Sequence, residues 1–112
     1  MKKKIIILFS VLLAIIACSK NSASFTTDCS VAKSFLTDVN PIIQSSCATS
    51  AGCHATGSTN GPGALTAYAQ VFAARSAIRS AVASGLMPQG SSLSTTQKNN
   101  IICWIDAGAA NN

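Results

Sequence analysis

Between Asp28 and Asn112 the chain carries nineteen large apolar side chains in eighty-five residues, and this shortage limits what it can fold into. A domain of that length has a core that is marginal by itself. Much of the remainder is Ala, Ser, Thr, Gly and Asn. A second source of stability is therefore expected, in the form of a disulfide, a metal or a bulky cofactor.

No stretch alternates as a strand, and the apolar spacings fit short helices. Asn40-Pro41 is expected to start one, the amide capping open N–H groups while the ring presets the first helical dihedral. Ile42, Ile43 and Ser46 then carry that helix toward Cys47, and a short segment with Phe35, Leu36 and Val39 precedes it. Residues 55–63, Ala-Thr-Gly-Ser-Thr-Asn-Gly-Pro-Gly, read as a loop. Leu65, Tyr68 and Phe72 share one helical face, and Ile78 and Val82 mark another helix that stops near Gly85. Ser94-Thr95-Thr96-Gln97 is a capping box opening a last helix, which carries Ile101, Trp104 and Ile105 and ends at Gly108. The expected fold is all-α, three to four short helices joined by long irregular loops.

The amino terminus needs separate treatment. Lys2, Lys3 and Lys4 precede a thirteen-residue apolar run, residues 5–17. A membrane-spanning helix needs about 20 such residues, so the run reads as an export signal. Its ending, Ile15-Ile16-Ala17-Cys18, resembles the lipobox of bacterial lipoproteins. The resemblance implies cleavage before Cys18 and acylation of that cysteine, which would anchor the chain by several acyl chains. The alternative is an ordinary secretory signal with an incidental cysteine. Ser19 beside the anchor resembles lipoproteins forwarded to an outer membrane. The expected organisation is a signal at 1–17, a lipidated flexible tether at 18–27 and one domain at 28–112. Losing the three signal lysines takes the formal charge from +5 to +2. The basic balance therefore belongs to the signal, and nothing in it points to nucleic acid.

The processed chain keeps one histidine, His54, and one methionine, Met87. Cys47-Ala48-Thr49-Ser50-Ala51-Gly52-Cys53-His54 ends in the Cys-His pair of a c-type haem attachment site. There, thiols add across the haem vinyl groups and the adjacent imidazole binds iron. Met87 lies in Gly85-Leu86-Met87-Pro88, a loop able to present a thioether. A zinc site could draw on Cys47, Cys53, His54 and either Cys29 or Cys103, but contiguous Cys-His rarely supplies two tetrahedral ligands. Blue copper needs two histidines. An iron–sulfur cluster on Cys29, Cys47, Cys53 and Cys103 lacks the compact spacing.

Three separated stretches carry a family resemblance: Asp38-Val39-Asn40-Pro41-Ile42-Ile43-Gln44-Ser45-Ser46-Cys47 with Cys53-His54, Gly85-Leu86-Met87-Pro88 with Leu93-Ser94, and Trp104-Ile105-Asp106-Ala107-Gly108-Ala109. In this order they resemble small class I cytochromes c, and most nearly the cytochrome-c-like lipoproteins of bacterial envelopes. The resemblance runs from Phe35 to the end. It implies one covalent haem c, with thioether links at Cys47 and Cys53, His54 as proximal iron ligand and Met87 as distal ligand. It also implies that the Trp104 helix packs across the amino-terminal helix. One departure stands out: five residues separate the cysteines, where the ordinary motif has two. The vinyl groups are a fixed distance apart, so the three extra residues are expected to bulge outward.

With lipid on Cys18 and haem on Cys47 and Cys53, the resemblance leaves Cys29 and Cys103 as one pair. A disulfide between them is expected, the alternative being two buried free thiols. Without haem, the four cysteines admit three pairings into two disulfides of a purely structural lipoprotein. Tyr68, Arg75 and Arg79 are candidates for the haem propionates, with core packing for the tyrosine and solvation for the arginines as the plainer roles. Asp28, Asp38 and Asp106 are scattered, and no second histidine serves as a base, so an enzyme is not expected. The expectation is an electron-transfer cytochrome held by lipid in the bacterial envelope and meeting redox partner proteins there. The rivals are the haem-free structural lipoprotein and a haem-binding accessory or sensor subunit.

Overall fold

The computed structural model describes residues 25–112. The export signal, Cys18 and the tether up to residue 24 lie outside the described residues. Among the described residues the regular structure is helical, without strands. The first helix, α1, is continuous from 35 to 47 and consists of a π-type turn Phe35–Val39, an α turn Asn40–Ile42 and a second π-type turn Ile43–Cys47. It is followed by α2 (Tyr68–Ala73), α3 (Arg75–Ser84) and α4 (Thr95–Asp106).

The start of α1 corrects the expectation placed on Asn40. Ser34 caps the helix: its Oγ accepts from the Thr37 N–H at 3.4 Å, and its own N–H donates to the Asp38 carboxylate at 2.8 Å. This reciprocal cap begins the helix six residues before Asn40. Proline has no N–H and its ring crowds the preceding turn. That turn is widened to i→i+5 bonds, the Val39 and Asn40 N–H groups donating to the Ser34 and Phe35 carbonyls. Asn40 is consequently inside the helix, where its Oδ1 accepts from Gln44 Nε2 at 3.1 Å.

Leu65 also departs from expectation. Gln70 Oε1 accepts from the Thr66 and Ala67 N–H groups at 2.8 and 3.0 Å, so α2 begins only at Tyr68. Leu65 is buried as a loop residue instead. The ends of α3 and α4 follow their sequence signals. Gly85 closes α3 at φ 74°, a left-handed conformation that suits glycine. Ser94 and Gln97 exchange cap hydrogen bonds of 2.9 and 3.2 Å at the start of α4.

Trp104, Ile43, Ile101, Ile102, Val39 and Val71 are the largest fully buried side chains. Trp104 lies 5.4 Å from the Phe35 ring, and Phe35 meets Tyr68 edge-on at 5.1 Å. These contacts pack α4 across the first turn of α1. The tail folds over the same cluster: Tyr68 Oη donates to Ala109 O and Trp104 Nε1 to Ala110 O, both at 2.8 Å. Asn112 then accepts from the Phe35 and Leu36 N–H groups at 3.0 and 2.8 Å, satisfying donors that a helix start leaves open. Three of the nineteen large apolar residues, Val31, Leu36 and Leu86, are exposed and add nothing to the core. Phe25 packs against the core under Lys98, so packed chain begins within the stretch expected as tether.

Cys29 and Cys103 form a disulfide, with Cα atoms 5.2 Å apart across a sequence separation of 74. It ties the segment before α1 to the buried face of α4 and supplies the cross-link that the sparse core called for.

Candidate functional site

A cavity of about 690 Å³ opens beside the end of α1 and α3, and Trp104 does not line it. Cofactor and ligand pockets run to about 300–1,000 Å³. The end of α1 supplies Ile43 and Cys47, the following loop Cys53 and His54, α3 Ile78 and Val82, and the loop after α3 Met87. The four residues singled out as haem contacts thus line one space. No Lys, Arg, Asp or Glu lines it.

The spacer between the cysteines closes on itself. The His54 N–H donates to Cys47 O at 3.0 Å, while the Cys53 and Ala55 N–H groups both donate to Ser50 O, at 3.0 and 2.9 Å. Residues 49–52 are solvent-exposed. Small side chains at Ala48, Thr49, Ser50, Ala51 and Gly52 permit so tight a loop. Ala48, Ser50 and Ala51 lie off the cavity, whereas Thr49 and Gly52 share its wall with the two cysteines, so the bulge is only partly outward.

His54 is 8% exposed, with Nδ1 2.9 Å from Gly63 O. A carbonyl only accepts, so Nδ1 carries a proton, and Nε2 is the ring nitrogen left for a metal. Such an outer hydrogen bond fixes tautomer and ring orientation in metal-ligating histidines. Gly63 presents its carbonyl from a left-handed conformation, φ 85°. Behind it, the Leu65 N–H donates to His54 O at 2.8 Å, and Gln44 Nε2 donates to Leu65 O at 3.0 Å, joining α1 to the loop. Met87 follows the Gly85 reversal, its N–H donating to Ala81 O at 3.2 Å and its peptide to Pro88 being cis.

The two thiols differ in character. Cys47 is buried, and burial, followed by the nearby Cys53, pushes its pKa up. Cys53 is exposed, and the Thr49 and then Ser50 side chains beside its sulfur hold its pKa below the ordinary value. Because thiolate is the reactive form, haem-free chain should alkylate first at Cys53, with half-maximal rate at a lower pH than Cys47. Iodoacetamide labelling read by peptide mass across about pH 6–10, spanning the ordinary thiol value, checks this; equal rates at the two sites would contradict it.

The residues weighed for propionate contacts lie elsewhere. Tyr68 belongs to the aromatic cluster. Arg75 stacks on Phe72 at 4.1 Å and donates to its carbonyl, and Arg79 pairs with Asp106 at 2.6 and 2.8 Å. None of the three lines the cavity. Among the described residues no three His, Cys, Asp or Glu side chains gather around one point as metal ligands. Cys29 and Cys103 are joined to each other, which removes the ligands that a zinc or iron–sulfur site would need. Sequence reasoning missed the Gly63 carbonyl and Gln44, because a backbone acceptor or a brace leaves no residue-type signal beyond a Gly-Pro-Gly loop.

Compared with known proteins, no family model, curated protein or solved structure matches the chain.

Proposed function

We propose that the chain is a monohaem c-type cytochrome with a small cytochrome-c-like fold, transferring single electrons while held by lipid on Cys18 in the bacterial envelope. One observation carries this reading: Cys47, Cys53, His54 and Met87 line a single cavity, and Gly63 engages His54 Nδ1 so that Nε2 is the ring nitrogen left for a metal. The donor set fits haem c, which when bound supplies reversible one-electron iron chemistry. Cys47 and Cys53 would hold it by thioethers, and His54 and Met87 would donate nitrogen and sulfur to the metal. Ile43, Ile78 and Val82 give the cavity an apolar wall that would shield a bound haem from water and so limit reorganisation on electron transfer. An uncharged lining leaves partner choice to shape and to confinement in the membrane plane. The haem-free structural reading uses all four cysteines in two disulfides, whereas here one pair is bonded and the other two thiols are free at the cavity.

The test is a haem stain of the denatured full chain, expressed with a c-type maturation system. Wild type should keep covalent haem, and Cys53→Ala should lose most of it. Met87→Ala should keep the haem and newly bind carbon monoxide, read as a shifted Soret band. A colourless wild type, also when isolated from its native host, would sink the reading. Carbon monoxide binding by the wild type itself would favour the sensor alternative.

A further inference from the structure

The loop after His54 is braced onto the spacer bulge. Asn60 Nδ2 donates to Gly52 O at 2.7 Å, and the Ser58 hydroxyl donates to Cys53 O. These two acceptors lie on either side of the Cys53 Cα, so consecutive carbonyls are held by a single turn of loop. That turn is itself closed, the Ser58 N–H donating to Ala55 O at 3.0 Å and the Asn60 N–H to Ser58 Oγ at 3.3 Å. The Gly63 N–H donates to Asn60 O at 2.9 Å, and Gly63 is the residue whose carbonyl receives His54 Nδ1. Gly52, Asn60, Gly63 and His54 therefore form one linked chain.

We propose that Asn60 is a positioning residue, whose carboxamide pins the expanded spacer so that Cys53 and Cys47 face one cavity at the separation two thioethers require. This rests on the haem reading above. A spacer of five residues has more conformations to lose than a spacer of two, so a brace from outside the spacer takes over part of the ordering. The residue type follows from the geometry. The donor must reach a carbonyl across the loop; serine is too short, and aspartate would set an acceptor against an acceptor. Asn60 is exposed, yet its carboxamide is engaged by the Gly52 carbonyl at 2.7 Å.

The full chain, expressed with a c-type maturation system, is compared as wild type, Asn60→Ala, Asn60→Asp and Thr59→Ala, the last an exposed neighbour outside the brace. The α-band of the pyridine haemochrome, with the mass of the haem peptide, separates haem held by two thioethers from haem held by one. Asn60→Ala and Asn60→Asp should move half or more of the haem to single attachment, with Thr59→Ala as wild type. A role in general stability alone would lower the urea midpoint without changing the thioether count. Two thioethers in wild-type proportion in both Asn60 variants would overturn the proposal. Should wild type carry no haem, the haem reading fails by itself, and amide exchange then decides the brace. Exchange at Cys53 and His54 faster by about fivefold in Asn60→Ala upholds it, the scale of one hydrogen bond, and unchanged exchange overturns it.

Discussion

Replacing Cys29 and Cys103 together by alanine is expected to cost about 4 kcal/mol of stability, the chain-entropy value for a loop closed across a separation of 74 residues. For a domain of this size that lowers the melting midpoint by on the order of 20 °C. The poverty of the core makes a loss of that size consequential. With Val31, Leu36 and Leu86 exposed, fewer large side chains are left to oppose chain entropy, and the bridge acts by restricting the unfolded chain. Changing both cysteines avoids leaving one free thiol. Urea unfolding of the double variant beside wild type measures the difference, and a loss below about 1 kcal/mol would show that the bridge is incidental.

Trp104→Ala should be comparably damaging, by about 4 kcal/mol. Trp104 is 1% exposed and joins α1, α2 and the tail through Phe35, Tyr68 and Ala110. Removing the indole opens a cavity and leaves the Ala110 carbonyl without its donor. Trp104→Phe separates the two effects: it keeps most of the ring and should lose nearer 1 kcal/mol, for the hydrogen bond. Equal losses in the two variants under urea denaturation would assign the whole effect to the N–H.

Much of this architecture is legible in local signals. The Ser94-Thr95-Thr96-Gln97 box works as a cap because both partners lie within one turn, and Gly85 ends α3 because few other residues tolerate φ near 74°. Where local signals compete, reading them is less secure. Asn40-Pro41 resembles a helix start, yet the reciprocal cap of Ser34 and Asp38 lies upstream and widened turns absorb the proline. Leu65 has helical spacing to Tyr68, but Gln70 caps the chain after it.

The candidate site divides in the same way. Cys47, Cys53, His54 and Met87 are identifiable from residue type, scarcity and spacing, because the proposed haem chemistry asks for thiols, an imidazole and a thioether, and the chain has few of each. That all four line one cavity is a property of the fold: α3 and its following loop must return to the end of α1, and no local pattern encodes that return. The orientation of His54 is likewise tertiary. Its Nδ1 proton is directed by Gly63, a residue nine positions away that contributes only a backbone carbonyl. The cysteines likewise separate into residue type and placement. Their number and the scarcity of apolar bulk call for a cross-link, which residue identity alone determines. Which two come within 5.2 Å depends on α4 lying across the first turn of α1, because a disulfide forms only where packing brings the Cα atoms together.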